Sequence, residues 1–397
     1  MSKILIVEAN FPPEPVVAAK VAIDLVSTLS NNHQITVLCP KPTRPYGFDF
    51  CSAKIPIGKF DRVELKSHTC PQSSFMGRFR ENYSFGIETA KYIHEHHREI
   101  DTIYADSWPL FGQYFLVRAA QKYNLPIAIH IQDVYPESLT NKLGLFSGIA
   151  NFALAPLDKY ILKKSTSVIV ISDYMKKYLG ITRGISKDKI AVVINWQDEF
   201  SFLDYMADKI EADKFTFMYL GNVGPVAGID LLIDAFVKAN IHNSRLVISG
   251  SGSMKTGLMK KSAVYKEHDI QFWSVPEGKV PEIQNKANVL LLPIKKGAAS
   301  SSVPSKLPAY MLSAKPIICC ADLDSYTAQC IREAKCGNVV EPETVEELSK
   351  ALTAIANQNI SALIEMGKSG RKYALDFFSK EINLKKLVAV IEDTLKK

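Results

Sequence analysis

Residues 293–316 read PIKKGAASSSVPSKLPAYMLSAKP, and the reading of this stretch decides the fold. The run before it, VLLLP at 289–293, is short, apolar and stopped by proline, which marks a buried strand. A loop rich in small residues follows at 295–302. Pro304, Ser305 and Lys306 then open a helix over 307–314, which Lys315 and Pro316 end ahead of another apolar run, IIC. Proline is tolerated in a first helical turn and serine caps one. A strand that feeds a small-residue loop and a helix N-terminus offers free N–H groups and a positive dipole end to an anion. Lys306 adds a full charge there. The same pattern also suits any strand–loop–helix connection of an α/β protein.

Working outward, the same alternation fills the chain. Strands are expected at 3–9 (KILIVEA), 34–40 (QITVLCP), DTIYADS, 126–133 (PIAIHIQD), 167–173 (SVIVISD) and IAVVINW, which ends at Trp196. Helical patterns run up to Ser30, from Phe75 onward, near 111–123 and near 145–164. The charged stretch DEFSFLDYMADKIEADK at 198–214 has no strand character and reads as a linker. The alternation restarts with FTFMYLGNV at 215–223 and a helix at 229–238. RLVISGSG, IQFWSV, VLLLP, PIICCAD and GNVVE follow, and helices fill 345–397. Strands alternating with helices form parallel, doubly wound sheets. The expectation is an α/β protein of two facing Rossmann-like domains with a ligand cleft between them. Residues 1–200 form the first domain, 201–375 the second, and 376–397 a helix packing back on the first. Ligands of such sheets lie beyond the C-terminal strand ends, where 10–17, 130–137, 221–228, 250–253 and 295–306 all fall.

At 397 residues the chain exceeds what one core usually serves, in keeping with two domains. No apolar run reaches the ~18 residues of a membrane span, and MSKILIVEA enters a strand without a signal-peptide pattern. Seven scattered cysteines without a C-x-x-C pair suit a reducing compartment, so a cytoplasmic location is expected. Of the net charge of +7, an excess of +5 lies in residues 41–80, where eight Lys/Arg face Asp49, Asp61 and Glu64. Such a segment suits phosphate or an anionic membrane surface, or is a solvated basic loop. No nucleic-acid motif accompanies it, and no nucleic-acid partner is expected.

Six motifs in order carry a family likeness: FPPEP, IQDVYPES at 131–138, VIVISDYM at 168–175, VVINWQDEF at 192–200, YLGNVGPVAGIDLLIDAF at 219–236 and PSKLPAYMLSAKPII at 304–318. In these the chain resembles the family 4 glycosyltransferases of GT-B fold over nearly its whole length. It is most similar to the bacterial O-antigen and capsule branch, which includes L-fucosamine transferases. The resemblance implies a retaining transfer of a sugar from a nucleoside-diphosphate donor, with a UDP-sugar expected, to a hydroxyl acceptor. The second domain would hold the donor and the first the acceptor, a lipid-linked glycan at the inner membrane face. No cofactor and no metal are implied.

The resemblance assigns donor binding to Gly221, Asn222, Gly224, Gly250, Ser301, Pro304, Ser305 and Lys306. Lys306, with Ser305 and the backbone amides after Gly221, would stabilise the leaving diphosphate. The chain also departs from the pattern. Ser301 and Ala309 stand where many members carry a Glu-x7-Glu pair, Asn222 replaces an arginine and Ala227 a lysine, and Val16-Val17 replaces a small Gly pair. Asp133 is the second catalytic candidate, as a group that orients or deprotonates the acceptor hydroxyl; it equally suits capping the turn before Tyr135 and Pro136. Arg78, Arg80 and Glu14 are expected to face the acceptor or the membrane. Glu137 reads as structural and His130 as a core histidine. His94, His96 and His97 do not share one helix face, so they do not make a metal site. Two other classes fit the residues: a nucleotide-sugar hydrolase or epimerase, and a binding protein without catalysis.

Overall fold

The computed structural model describes residues 1–44, 46, 48–50, 58–72, 74–106, 110–140, 147–205, 213–225, 227–276, 278–296, 304 and 306–396. The chain divides into two compact units, one of Met1–Ile194 with Asn383–Lys397 and one of Asn195–Ile382.

The first unit opens with β1 (Lys3–Val7), α1 (Val17–Leu29), β2 (Gln34–Pro40) and β3 (Phe60–Leu65). It continues with α2 (Phe75–His96), β4 (Thr102–Asp106), α3 (Leu110–Lys122), β5 (Ile127–Ile131) and α4 (Glu137–Thr140). Then come α5 (Ser147–Lys164), β6 (Ser167–Val170), α6 (Asp173–Arg183) and β7 (Ile190–Val192). Its sheet runs β3-β2-β1-β4-β5-β6-β7, all parallel. The central strands are buried on both faces, which is why they read as unbroken apolar runs. β3 is an element the sequence reading missed. FDRVEL carries Asp61, Arg62 and Glu64 because it is the edge strand, where charge discourages further pairing. The basic segment is therefore not all loop.

The second unit contains α7 (Phe200–Leu203), β8 (Phe215–Leu220), α8 (Ile229–Ala239), β9 (Ser244–Ser249), α9 (Lys255–Ser262), β10 (Asp269–Trp273), α10 (Val280–Asn285) and β11 (Val289–Pro293). α11 (Lys306–Leu312), β12 (Ile317–Cys320), α12 (Tyr326–Glu333), β13 (Gly337–Val340), α13 (Val345–Ala356) and α14 (Ile360–Phe377) complete it. Its parallel sheet has the order β10-β9-β8-β11-β12-β13. Phe217, Leu232, Phe236, Leu246, Ile248, Leu291 and Leu352 anchor a core between sheet and helices.

The last helix, α15 (Lys380–Thr394), begins in the second unit and lies mostly in the first. Asn383 accepts a bond from the Ile194 amide, His33 meets Glu392 at 3.2 Å, and Thr394 donates to Ser167. Residues 195–199 belong to the second unit, where the buried Glu199 carboxylate accepts from the Ser379 hydroxyl and the Lys380 amide, both at 3.0 Å. The charged stretch at 198–214 thus begins inside that unit; its residues 206–212 lie outside the described residues.

In both sheets the strand order reverses direction once, between β1 and β4 and between β8 and β11. Strand ends on either side of such a switch point diverge, and the space beyond them receives ligands.

Candidate active site

In the second unit, three loops meet on the β8 side of the switch point. Gly221 donates its amide to Ser249, Val223 to Ser251, and Gly250 to the Trp273 carbonyl, so the loops after β8, β9 and β10 are stitched together. Gly250 sits at φ +132 against the Gly221 carbonyl, where a Cβ would collide. The bond made by Val223 occupies one of the amides after Gly221 that the sequence offered to the diphosphate. Asn222 is exposed, its carbonyl accepting from the Tyr219 hydroxyl at 2.7 Å, whereas Gly224 is buried. These loops border a hollow of about 430 Å³ with Ser274 and Val275 on its far side.

Lys306 comes to this rim from α11. Its side chain lies across Gly221 so closely that a Cβ there would overlap its Cε, and its Nζ is 5.7 Å from the centre of the Tyr219 ring. Among the described residues no carboxylate pairs with it, and burial pulls its pKa down. A half-buried amine without a partner is costly, and a bound anion relieves that cost.

Tyr310, one turn along, explains how the lysine is held. β11 pairs with β8 at Phe217 and Met218, then diverges. At Leu220 the Tyr310 hydroxyl takes the missing strand's place: it accepts from the Leu220 amide at 2.8 Å and donates to its carbonyl at 3.0 Å. The far end of α11 is held by Arg371 of α14, whose Nε donates to the Leu312 carbonyl at 2.7 Å. Pro304 accepts from the Leu307 amide. Ser301 and Ser305 lie outside the described residues. Ala309 and Ala227 are buried and apolar, so neither the ribose carboxylate nor the second lysine of the family pattern has a counterpart at those positions.

In the first unit, the Gln132 amide donates to Asp106 Oδ1 at 3.1 Å, joining the ends of β4 and β5. His130 is buried and meets the Tyr104 hydroxyl at 2.9 Å, as a core histidine should. Glu8, after β1, is 2% exposed; burial, and then the charge of Asp106, pushes its carboxyl well above the usual range. Asp133 is half-buried two residues past β5, and its charge adds to burial in raising the Tyr135 pKa. Glu8 and Asp106 were missed in the sequence. The available signal was an acid directly after an apolar strand run, as in LIVE and IYAD.

The loop that carries Asp133 is fixed from α6. Arg183 Nη2 reaches both Glu137 oxygens at 2.7 Å and the Tyr135 carbonyl at 2.9 Å, while Nε donates to Asp158 at 2.6 Å. Burial pushes Asp158 up to about 6 despite the guanidinium beside it. Glu14 and Arg78 are engaged in a similar clamp. Glu14 accepts from the Thr43 and Arg44 amides and from Asn10, and Arg44 and Arg78 both pair with the buried Glu81. Arg80 is exposed and borders a separate hollow of about 550 Å³ with His68 and Met76.

Two consecutive Rossmann-like parallel sheets, each with its own switch point, are the architecture of the GT-B glycosyltransferases. Comparison with known proteins agrees. Residues 18–198 match the family described as Glycosyltransferase Family 4, and residues 206–373 the family described as Glycosyl transferases group 1. The chain belongs to these family 4/group 1 glycosyltransferases. It is 22% identical over 303 residues to "Probable glycosyltransferase WbjE" of Pseudomonas aeruginosa, a match that covers 70% of this chain and 71% of that protein. Sucrose-phosphate synthase of Thermosynechococcus elongatus superposes with a TM-score of 0.76 at 15% identity, covering 99% of each chain. Anabaena HepE in complex with UDP gives 0.69 at 15% identity, covering 98% of this chain and 100% of that one.

Proposed function

We propose that this glycosyltransferase moves a sugar, with retention, from a nucleoside-diphosphate donor to a hydroxyl of a lipid-linked glycan, as a step in bacterial surface polysaccharide synthesis. UDP-sugar is the first donor to try, since a protein of the same fold is bound to UDP. The observation that carries the reading is Lys306, an uncompensated amine laid across Gly221 beside an open hollow. A diphosphate leaves with negative charge growing on its terminal phosphate, and a fixed cation there lowers the barrier. Lysines carry the neutralising charge in this account, so the transfer requires no metal and survives a chelator.

The acceptor belongs to the first unit, with Asp133 and Asp106 as the carboxylates that orient its hydroxyl. The membrane role is supported by α2, which exposes Met76, Phe79 and Tyr83 next to Arg80, and by α5, where Phe152 is 85% exposed. An apolar strip edged by cations suits an anionic lipid surface. The test is product analysis with UDP-sugars and a lipid-linked acceptor on anionic vesicles, with chelator present. The reading expects acceptor-dependent transfer that keeps the anomeric configuration and weakens as salt rises. Hydrolysis indifferent to acceptor would instead establish the hydrolase reading.

A further inference from the structure

Among the described residues, the hollow of the second unit has one charged residue on its wall, and it is not Lys306. Lys255, the first residue of α9, lines it together with Gly221, Asn222, Gly250 and Ser274. Its Nζ donates to the Gly250 carbonyl at 2.9 Å, which fixes the amine at the rim above the β9 loop. Among the described residues it makes no ion pair. The nearer positions that face the switch point are uncharged: Asn222 is an amide and Ala227 is apolar and buried.

The sheet order sets what this amine meets. Along β10-β9-β8-β11, Lys306 stands at the β8 and β11 end, while Ser274 and Val275 follow β10. With strands ~4.8 Å apart, the β8-to-β10 span is about 10 Å, the reach of a nucleoside monophosphate. A nucleotide whose terminal phosphate meets Lys306 therefore lays its base toward β10. Its inner phosphate then falls over β8 and β9, beside Lys255.

Resting on the donor reading above, we propose that Lys255 binds the α-phosphate of the nucleotide and supplies the second positive charge of the donor site, with Lys306 taking the β-phosphate. A charge-assisted hydrogen bond to phosphate is stronger than a neutral one, so losing it weakens binding about tenfold or more.

Calorimetric titration of the full chain tests this. UDP, GDP, dTDP and ADP are tried first, then the monophosphate and nucleoside of whichever binds best. Lys255→Met should weaken the diphosphate and the monophosphate by the same factor, about tenfold, and leave the nucleoside unchanged. Lys306→Ala should weaken the diphosphate alone, and Lys255→Arg should restore binding. Unchanged unfolding temperatures without ligand exclude damage to the loop. If the wild-type protein binds none of the nucleotides, the donor reading falls and takes this inference with it. If it binds and Lys255→Met does not weaken the monophosphate, or weakens the nucleoside equally, the assignment of Lys255 alone is overturned.

Discussion

Glu8 shows most directly how position governs chemistry at the residue scale. It follows a buried strand, is almost inaccessible, and faces the charge of Asp106, so the folded protein favours its protonated form. A carboxyl whose pKa is raised by folding contributes stability below its unfolded pKa and loses it as pH climbs through the folded value. Glu8→Gln removes this titration. The variant should match the wild type near pH 4 and unfold at a higher temperature than the wild type at pH 8. Thermal unfolding across that range checks it, and a wild-type advantage at pH 8 would contradict it. Lys306 was legible in the sequence because a lysine in P-S-K at a helix start is a local signal. Glu8 and Asp106 carried only the signal of an acid directly after an apolar run, and Lys255 carried none, since what marks it is the meeting of neighbouring loops, which no single stretch displays.

Among the elements, α11 is the one whose placement matters most. Its seven residues are too few to be stable by propensity, and nearly all are buried. Tyr310 bonds both backbone groups of Leu220, and Arg371 holds the other end, so Lys306 arrives at Gly221 on a fixed lever. Tyr310→Phe leaves a buried N–H and C=O unpaired, at a cost of about 1–3 kcal/mol. The unfolding temperature of this unit should then fall by roughly 2–4 °C per kcal/mol. A midpoint unchanged within error would show that the hydroxyl does not stand in for the missing strand. The strand and helix pattern around 293–316 was readable because each segment has its own apolar period and stop signal. β3 was not, because an edge strand trades apolar residues for charges and so looks like loop. The membrane or acceptor role read into Glu14 and Arg78 has a local competitor visible only in three dimensions: both are bonded within a clamp around the buried Glu81 and the residue 43–44 loop.

For the whole molecule, two doubly wound sheets put Asp133, Gly221, Asn222 and Gly250 just past C-terminal strand ends, where the alternation of strands and helices in the sequence put them, whereas Arg78 and Arg80 lie within α2. The units divide at Ile194 and Asn195, ahead of the break in that alternation at 198–214. α15 returns to the first unit through Asn383 and Thr394, buried polar residues with no periodic signature. The central claim is that the second unit binds a nucleoside diphosphate through Lys306. Thermal unfolding of the protein with UDP, GDP, dTDP, ADP and CMP, without metal and then with magnesium, tests it most directly. A ligand at a hundred times its dissociation constant adds about 2.7 kcal/mol, a shift of several degrees. The account predicts such a shift with one of the diphosphates, present without metal and absent in Lys306→Ala. No shift with any nucleotide, or an equal shift in the variant, would contradict it.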